Sequence, residues 1–171
     1  MLNFFTDNKN NFFSISLILV LVFSRLIPHP PNFTPIISVA LMSGLLFKKI
    51  NVSFLILLMA MLISDVFIGF YENMIFVYLS LAIITYVSYQ IALKINFINL
   101  FLFSTLSALI FYFISNFGVW LQGNFYEKNL TGLFQCYIFA IPFFKNTLIS
   151  TIFFTYLAYC SKFFYNKWKV L

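Results

Sequence analysis

Long apolar runs fill nearly all of this chain, and its few charged residues fall in the gaps between them. Lysines mark every second gap: Lys9, the pair Lys48 and Lys49, Lys94, and the group Lys162, Lys167 and Lys169. Glu72 and Glu127 fall in the other gaps. Basic residues at alternate ends of successive spans form the positive-inside pattern, which orients membrane helices by keeping Lys and Arg cytoplasmic. The pattern predicts a multi-pass membrane protein with both termini in the cytoplasm. It also gathers the unusual polar residues on the opposite, outer side.

Composition agrees. Of the 171 residues, 63% are hydrophobic and 8% are charged, against roughly 25% charged in soluble domains. A water-soluble core this apolar would lack polar surface to cover it. A spanning helix needs about 20 apolar residues, so the length allows about six spans in one membrane domain covering residues 1–171. The net charge of +6 is spread over several loop ends. It fits retention against an anionic cytoplasmic leaflet rather than a nucleic-acid patch. The expected location is a membrane that the chain crosses several times, with both termini on the cytoplasmic side. The first apolar run lacks a strongly basic leader and a small-residue cleavage site, so it reads as an uncleaved helix.

The expected spans run over residues 12–27, 35–49, 52–70, 74–93, 97–115 and 143–160. The second is marginal for a full crossing, which suggests tilt or burial among its neighbours. Residues 131–164 are too long for one crossing and contain Pro142, which removes a helix hydrogen bond. They are therefore split into a short extra helix on the outer face, residues 131–141, and the sixth span. The fold class is thus an all-α protein of six transmembrane helices plus that extra helix.

Several polar residues sit in or beside apolar spans. A charge at the centre of a bilayer costs about 2.5–3.5 kcal/mol on insertion scales, so each calls for a reason. Arg25 and Lys145 have long stems that reach headgroups. Asp65 does not, and pairing with Arg25 or Lys145 would neutralise it. Such a pair reads equally as structural or as the wall of a cavity. Residues 25–35 hold four prolines in eight positions, which makes a stiff connection presenting His29, Asn32 and Thr34. Glu72 forms the next outer turn. Asn116 and Trp120 follow the fifth span, and Lys145 and Asn146 open the sixth.

Trp120, Tyr71, Tyr126 and Tyr137 suit an interfacial aromatic belt or the walls of a pocket for a flat ligand. Gln135 and Cys136 lie beside Tyr137. Cys136 reads first as a small packing residue and second as an axial ligand or redox contact. Cys136 and Cys160 are expected near opposite faces, too far apart for a disulfide. His29 is the only histidine, so a multi-histidine metal site is excluded. No cofactor is expected. Phosphate loops, HExxH, CxxC and nucleophile elbows are absent, and the acid–base inventory is thin. The chain is not expected to be an enzyme, and ATP-driven work would need a partner.

The set R-x-x-P-H-P-P-N-F-T-P-I from Arg25, S-D-x-x-x-G-F from Ser64, N-F-G-V-W from Asn116 and G-L-x-x-C-Y-x-x-A-I-P-F-F-x-N-T from Gly132 resembles a family of small bacterial integral membrane proteins of uncharacterised function. That resemblance runs from about Arg25 to Thr147 and implies no activity. The layout is more distantly similar to the substrate-binding S components of energy-coupling-factor (ECF) vitamin transporters. This likeness implies six helices, a ligand pocket near the outer face and an ATPase and coupling-subunit module as partner. The equivalent pocket walls would carry His29, Asn32, Glu72, Asn116 and Trp120. Ser14-x-x-x-Ile18 departs from the small-residue spacing that S components use for docking, which leaves a solitary transporter open.

Two functions from different classes follow as expectations. One is a membrane component that binds a small nutrient, such as a vitamin or cofactor precursor, for uptake. Its candidate contacts are Arg25, His29, Asn32, Thr34, Asp65, Glu72, Asn116, Trp120, Gln135, Cys136, Tyr137, Lys145 and Asn146. The other is a non-catalytic scaffold of the cell envelope. A lipid-processing enzyme using Asp65, Glu72 and His29 is a weaker third.

Overall fold

A computed structural model describes residues 11–47 and 49–168. Lys9, Lys48 and Lys169 of the charge pattern lie outside them. The described residues form α1 (Asn11–Ser24), α2 (Ile36–Leu46), α3 (Ile50–Ile68), α4 (Met74–Ile91), α5 (Phe97–Gln122) and α6 (Leu130–Trp168), with a 3-10 turn at Ala92–Lys94. Four helices, α3 to α6, are long and apolar enough to cross a membrane, α4 together with its 3-10 turn. Their outward residues are large and apolar, such as Leu55, Val66, Phe101, Phe134 and Phe153. Lipid accepts that surface, whereas water would drive such patches into contact. The chain has the make-up of a multi-pass membrane protein.

Helix α2 sits at the centre. All eleven of its residues are buried, and it touches each of the other five helices. A helix of this length rises about 16 Å, well short of a hydrocarbon core of about 30 Å. The sequence reading of a short span packed among neighbours agrees with this placement. Its closest neighbour is α4. A Cβ on Gly44 would collide with the Thr85 carbonyl oxygen and lie 2.7 Å from Ser88 Cβ. Nearby, Thr85 Oγ1 donates to the Ala40 carbonyl at 3.0 Å. On the α6 side, Ser38 Oγ donates to the Thr151 carbonyl at 3.0 Å and accepts from Thr155 Oγ1 at 3.0 Å. Lipid gives helices no hydrophobic reason to associate, so small residues and buried hydroxyls take over that role.

Three expectations are corrected. The extra helix over residues 131–141 does not exist as a separate element, because α6 runs unbroken through Pro142 for 39 residues. Proline at this exposed position forgoes one hydrogen bond, and the packed turns on both sides hold the helix together. Helix α5 extends to Gln122, so Asn116 and Trp120 lie on a helix rather than in a loop. Helix α1 ends at Ser24, before Arg25, and with α2 falls below the length of a full crossing.

Candidate functional site

The loops between α1 and α2, α3 and α4, and α5 and α6 gather at one end of the bundle, above the start of α2. Local chemistry fixes each of them. Gly69 ends α3 at φ 104°, a conformation that costs glycine little and other residues much. Asn32 takes φ 59° in the proline-rich connection, where asparagine is among the few tolerated residues. Asn146 Nδ2 donates to the Pro31 carbonyl at 2.9 Å and ties that connection to α6. Lys128 reaches back to the last carbonyls of α5, donating to Trp120, to Leu121 at 3.2 Å and to Gly123 at 2.5 Å. A cation is favourable at a helix C-terminus. Asn129 Oδ1 accepts from Gly132 N at 2.8 Å and caps α6.

These loops enclose a cavity of about 330 Å³ whose floor includes Ile36 and Ile37, the first turn of α2. No side chain caps that turn. Helix α5 contributes Phe111, Tyr112, Ser115, Asn116 and Val119 to the wall. Helix α6 contributes Ala140, Phe143, Phe144 and Thr147. Arg25, Asn32, Thr34, Tyr71, Asn73 and Val77 complete it. A second chamber of about 320 Å³ shares Asn32, Asn116, Val119, Ala140 and Phe143 with the first and adds Tyr126, Cys136 and Phe139. The two chambers therefore adjoin along a common wall.

An ion pair lies behind the first chamber. Arg25 Nη1 meets Asp65 Oδ1 at 2.7 Å, and Oδ1 takes no hydrogen bond beyond it. Arg25 Nη1 also donates to Ser64 Oγ, while Tyr78 donates its hydroxyl to Asp65 Oδ2 at 2.8 Å. Asp65 is wholly buried and the Arg25 side chain is 10% exposed. A buried carboxylate is tolerable when each oxygen has such a partner. The adjacent Tyr71 phenol is pushed up to about 12, first by burial and then by the Asp65 charge. It stays neutral across physiological pH.

The predicted contacts divide. Arg25, Asn32, Thr34 and Asn116 line the first chamber, and Asn32, Asn116 and Cys136 the second. Asp65 acts from behind, through Arg25. Asn146 holds the proline-rich connection. His29, Glu72, Gln135 and Lys145 are exposed and line neither chamber. Trp120 donates Nε1 to the Glu127 carbonyl at 2.9 Å, and Tyr137 donates to the Phe113 carbonyl at 2.8 Å, so both brace the α5–α6 turn. Cys136 and Cys160 are free thiols, 24 residues apart on one helix, or about 36 Å.

Sequence reading missed Tyr112, Ser115, Asn73, Ala140, Phe143, Phe144 and Thr147. Their spacing carried a signal: residues 140, 143, 144 and 147 fall on one face of α6, and 111, 112, 115, 116 and 119 on one face of α5. Among the described residues no group of three or more His, Cys, Asp or Glu could hold a metal ion.

The helices and this cavity define an all-helical, multi-pass membrane protein with a polar-edged, aromatic-walled chamber at one end. The chain belongs to a family of unknown function (DUF6580), matched over residues 5–170. No curated protein and no solved structure matches it.

Proposed function

We propose that this protein is a substrate-binding membrane component, similar in role to an S component, that captures a small nutrient such as a vitamin or cofactor precursor for uptake. In this reading it lies in a bacterial inner membrane with both termini cytoplasmic and the cavity near the outer face. It binds and releases without changing its ligand chemically, and an ATPase module or an ion gradient drives the cycle. The observation that carries the reading is the cavity itself. Its volume is in the range of small-molecule sites, and its wall sets aromatic and aliphatic residues beside converging polar groups, the kind of lining such sites have. It is also the place where the least regular loops of the chain meet.

Native mass spectrometry of the protein purified in mild detergent tests this. The expected result is a small molecule bound one to one and lost on Asn116→Ala, with helicity unchanged by circular dichroism. An empty protein that instead carries a second membrane protein would replace this reading with the envelope scaffold.

A further inference from the structure

We infer that the cavity selects an uncharged, planar molecule with amide-like hydrogen-bonding edges, because the single formal charge in its wall is already cancelled. The inference rests on reading the cavity as a ligand site, and it names the class of ligand.

Among the described residues, Arg25 is the only one lining either chamber that carries a formal charge. Its guanidinium is held by Asp65 at 2.7 Å and by Ser64. Read from sequence alone, Arg25 and Lys145 suit an anionic group. In the structure Lys145 lies exposed outside both chambers, and Arg25 faces the cavity as half of a neutral pair. An anionic ligand would either share the guanidinium with Asp65 and meet that carboxylate's charge close behind it, or draw Arg25 away and leave a wholly buried carboxylate without its counter-charge; both are unfavourable. A cationic ligand would find no carboxylate in the wall.

The remaining polar lining is neutral and two-sided. Asn32, Asn73 and Asn116 each offer a carbonyl oxygen and an amino group. Ser115 and Thr147 have given their protons to the Phe111 and Phe143 carbonyls, at 2.6 and 3.0 Å, and face a ligand as acceptors. Asn116 Nδ2 donates to the Tyr112 carbonyl at 2.7 Å, which leaves its oxygen available as an acceptor. Neutral donors and acceptors beside aromatic side chains match a heterocycle or ring carboxamide. A carboxylate or phosphate would call for free cations.

The test is calorimetric titration of the protein in lipid nanodiscs with matched probes: nicotinamide against nicotinate, pyridoxine against pyridoxal 5′-phosphate, and riboflavin against flavin mononucleotide. In at least one pair the neutral member is expected to bind tighter by about tenfold or more, because the anion meets the Asp65 carboxylate behind Arg25. Asp65→Asn uncovers the Arg25 charge, and the anion-to-neutral affinity ratio should rise by about tenfold. If Asp65→Asn does not fold, the double variant Arg25→Gln with Asp65→Asn keeps the wall neutral and should keep the neutral preference. A wild-type preference for the anions overturns the inference and leaves the ligand-binding reading standing. So does an unchanged ratio in folded Asp65→Asn, or loss of neutral-probe binding in the folded double variant. If no probe binds while native mass spectrometry still finds a retained molecule, the ligand class falls alone. If no probe binds and the protein is empty, both fall.

Discussion

Asp65 is the residue on which the site depends most. It is buried, charged and placed in a helix with an otherwise apolar exterior, and it persists because Arg25 and Tyr78 satisfy both oxygens. Removing one partner of a buried pair is far worse than removing both, because the survivor keeps its charge without compensation. Asp65→Ala is therefore expected to destabilise the protein by about 3–5 kcal/mol. Adding Arg25→Ala should recover a large part of that loss. Thermal unfolding of the two single variants and the double variant in detergent checks this, and strictly additive effects would contradict the pairing. Much of this was legible beforehand. A short carboxylate inside a lipid-facing span demands a cation, and Arg25 and Lys145 are the two that sit in or beside apolar spans near the same end. The choice between them was not legible, since it depends on α1 ending at Ser24 and turning Arg25 inward.

Among the elements, α2 shows how little room the bundle leaves. It is buried on every side, and Gly44 lets it approach the α4 backbone through Thr85 and Tyr89. A methyl group there has nowhere to go, because the obstructing atoms include backbone. Gly44→Ala should cost about 1–3 kcal/mol, the usual penalty for overpacking. Thermal melting measures the loss, and an unchanged midpoint would mean that the α2–α4 contact is looser than described. The apolar run over 35–49 reads as a helix of marginal length, tilted or packed among its neighbours, but also as one of six crossings, which the eleven-residue α2 is too short to make. The continuity of α6 was harder to read. Proline normally marks a break, and only the packing of Ala140, Thr147 and Thr151 against neighbours sustains the helix past Pro142. The same helix hides part of the cavity wall, since Phe143 and Phe144 look no different in sequence from the lipid-facing phenylalanines around them.

Across the whole molecule, the polar loops gather at one end, and Lys49, Lys94 and Lys167 lie toward the other. In the proposed orientation, which follows the positive-inside rule, the lysine end faces the cytoplasm. Cysteines introduced at Glu72 and Asn124, in a background with Cys136 and Cys160 changed to alanine, should react with a membrane-impermeant maleimide on intact cells. A cysteine at Lys94 should react only after permeabilisation. The reverse pattern would place the cavity on the inside and rule out uptake from without.

Helix α2 also sets the thickness of the seal. Beneath the cavity, the material between the two sides of the bundle is this one helix, about 16 Å long, in a slab about twice as thick. Under the proposed uptake role, a molecule resting on Ile36 and Ile37 would stand close to half of the way through. What lies below it is a plug of eleven residues, every one of them packed. That role would set two demands on the same short cylinder, insulation against leaking ions and passage of cargo. The plug would fit without gaps while it stands and shift as a body for anything to pass.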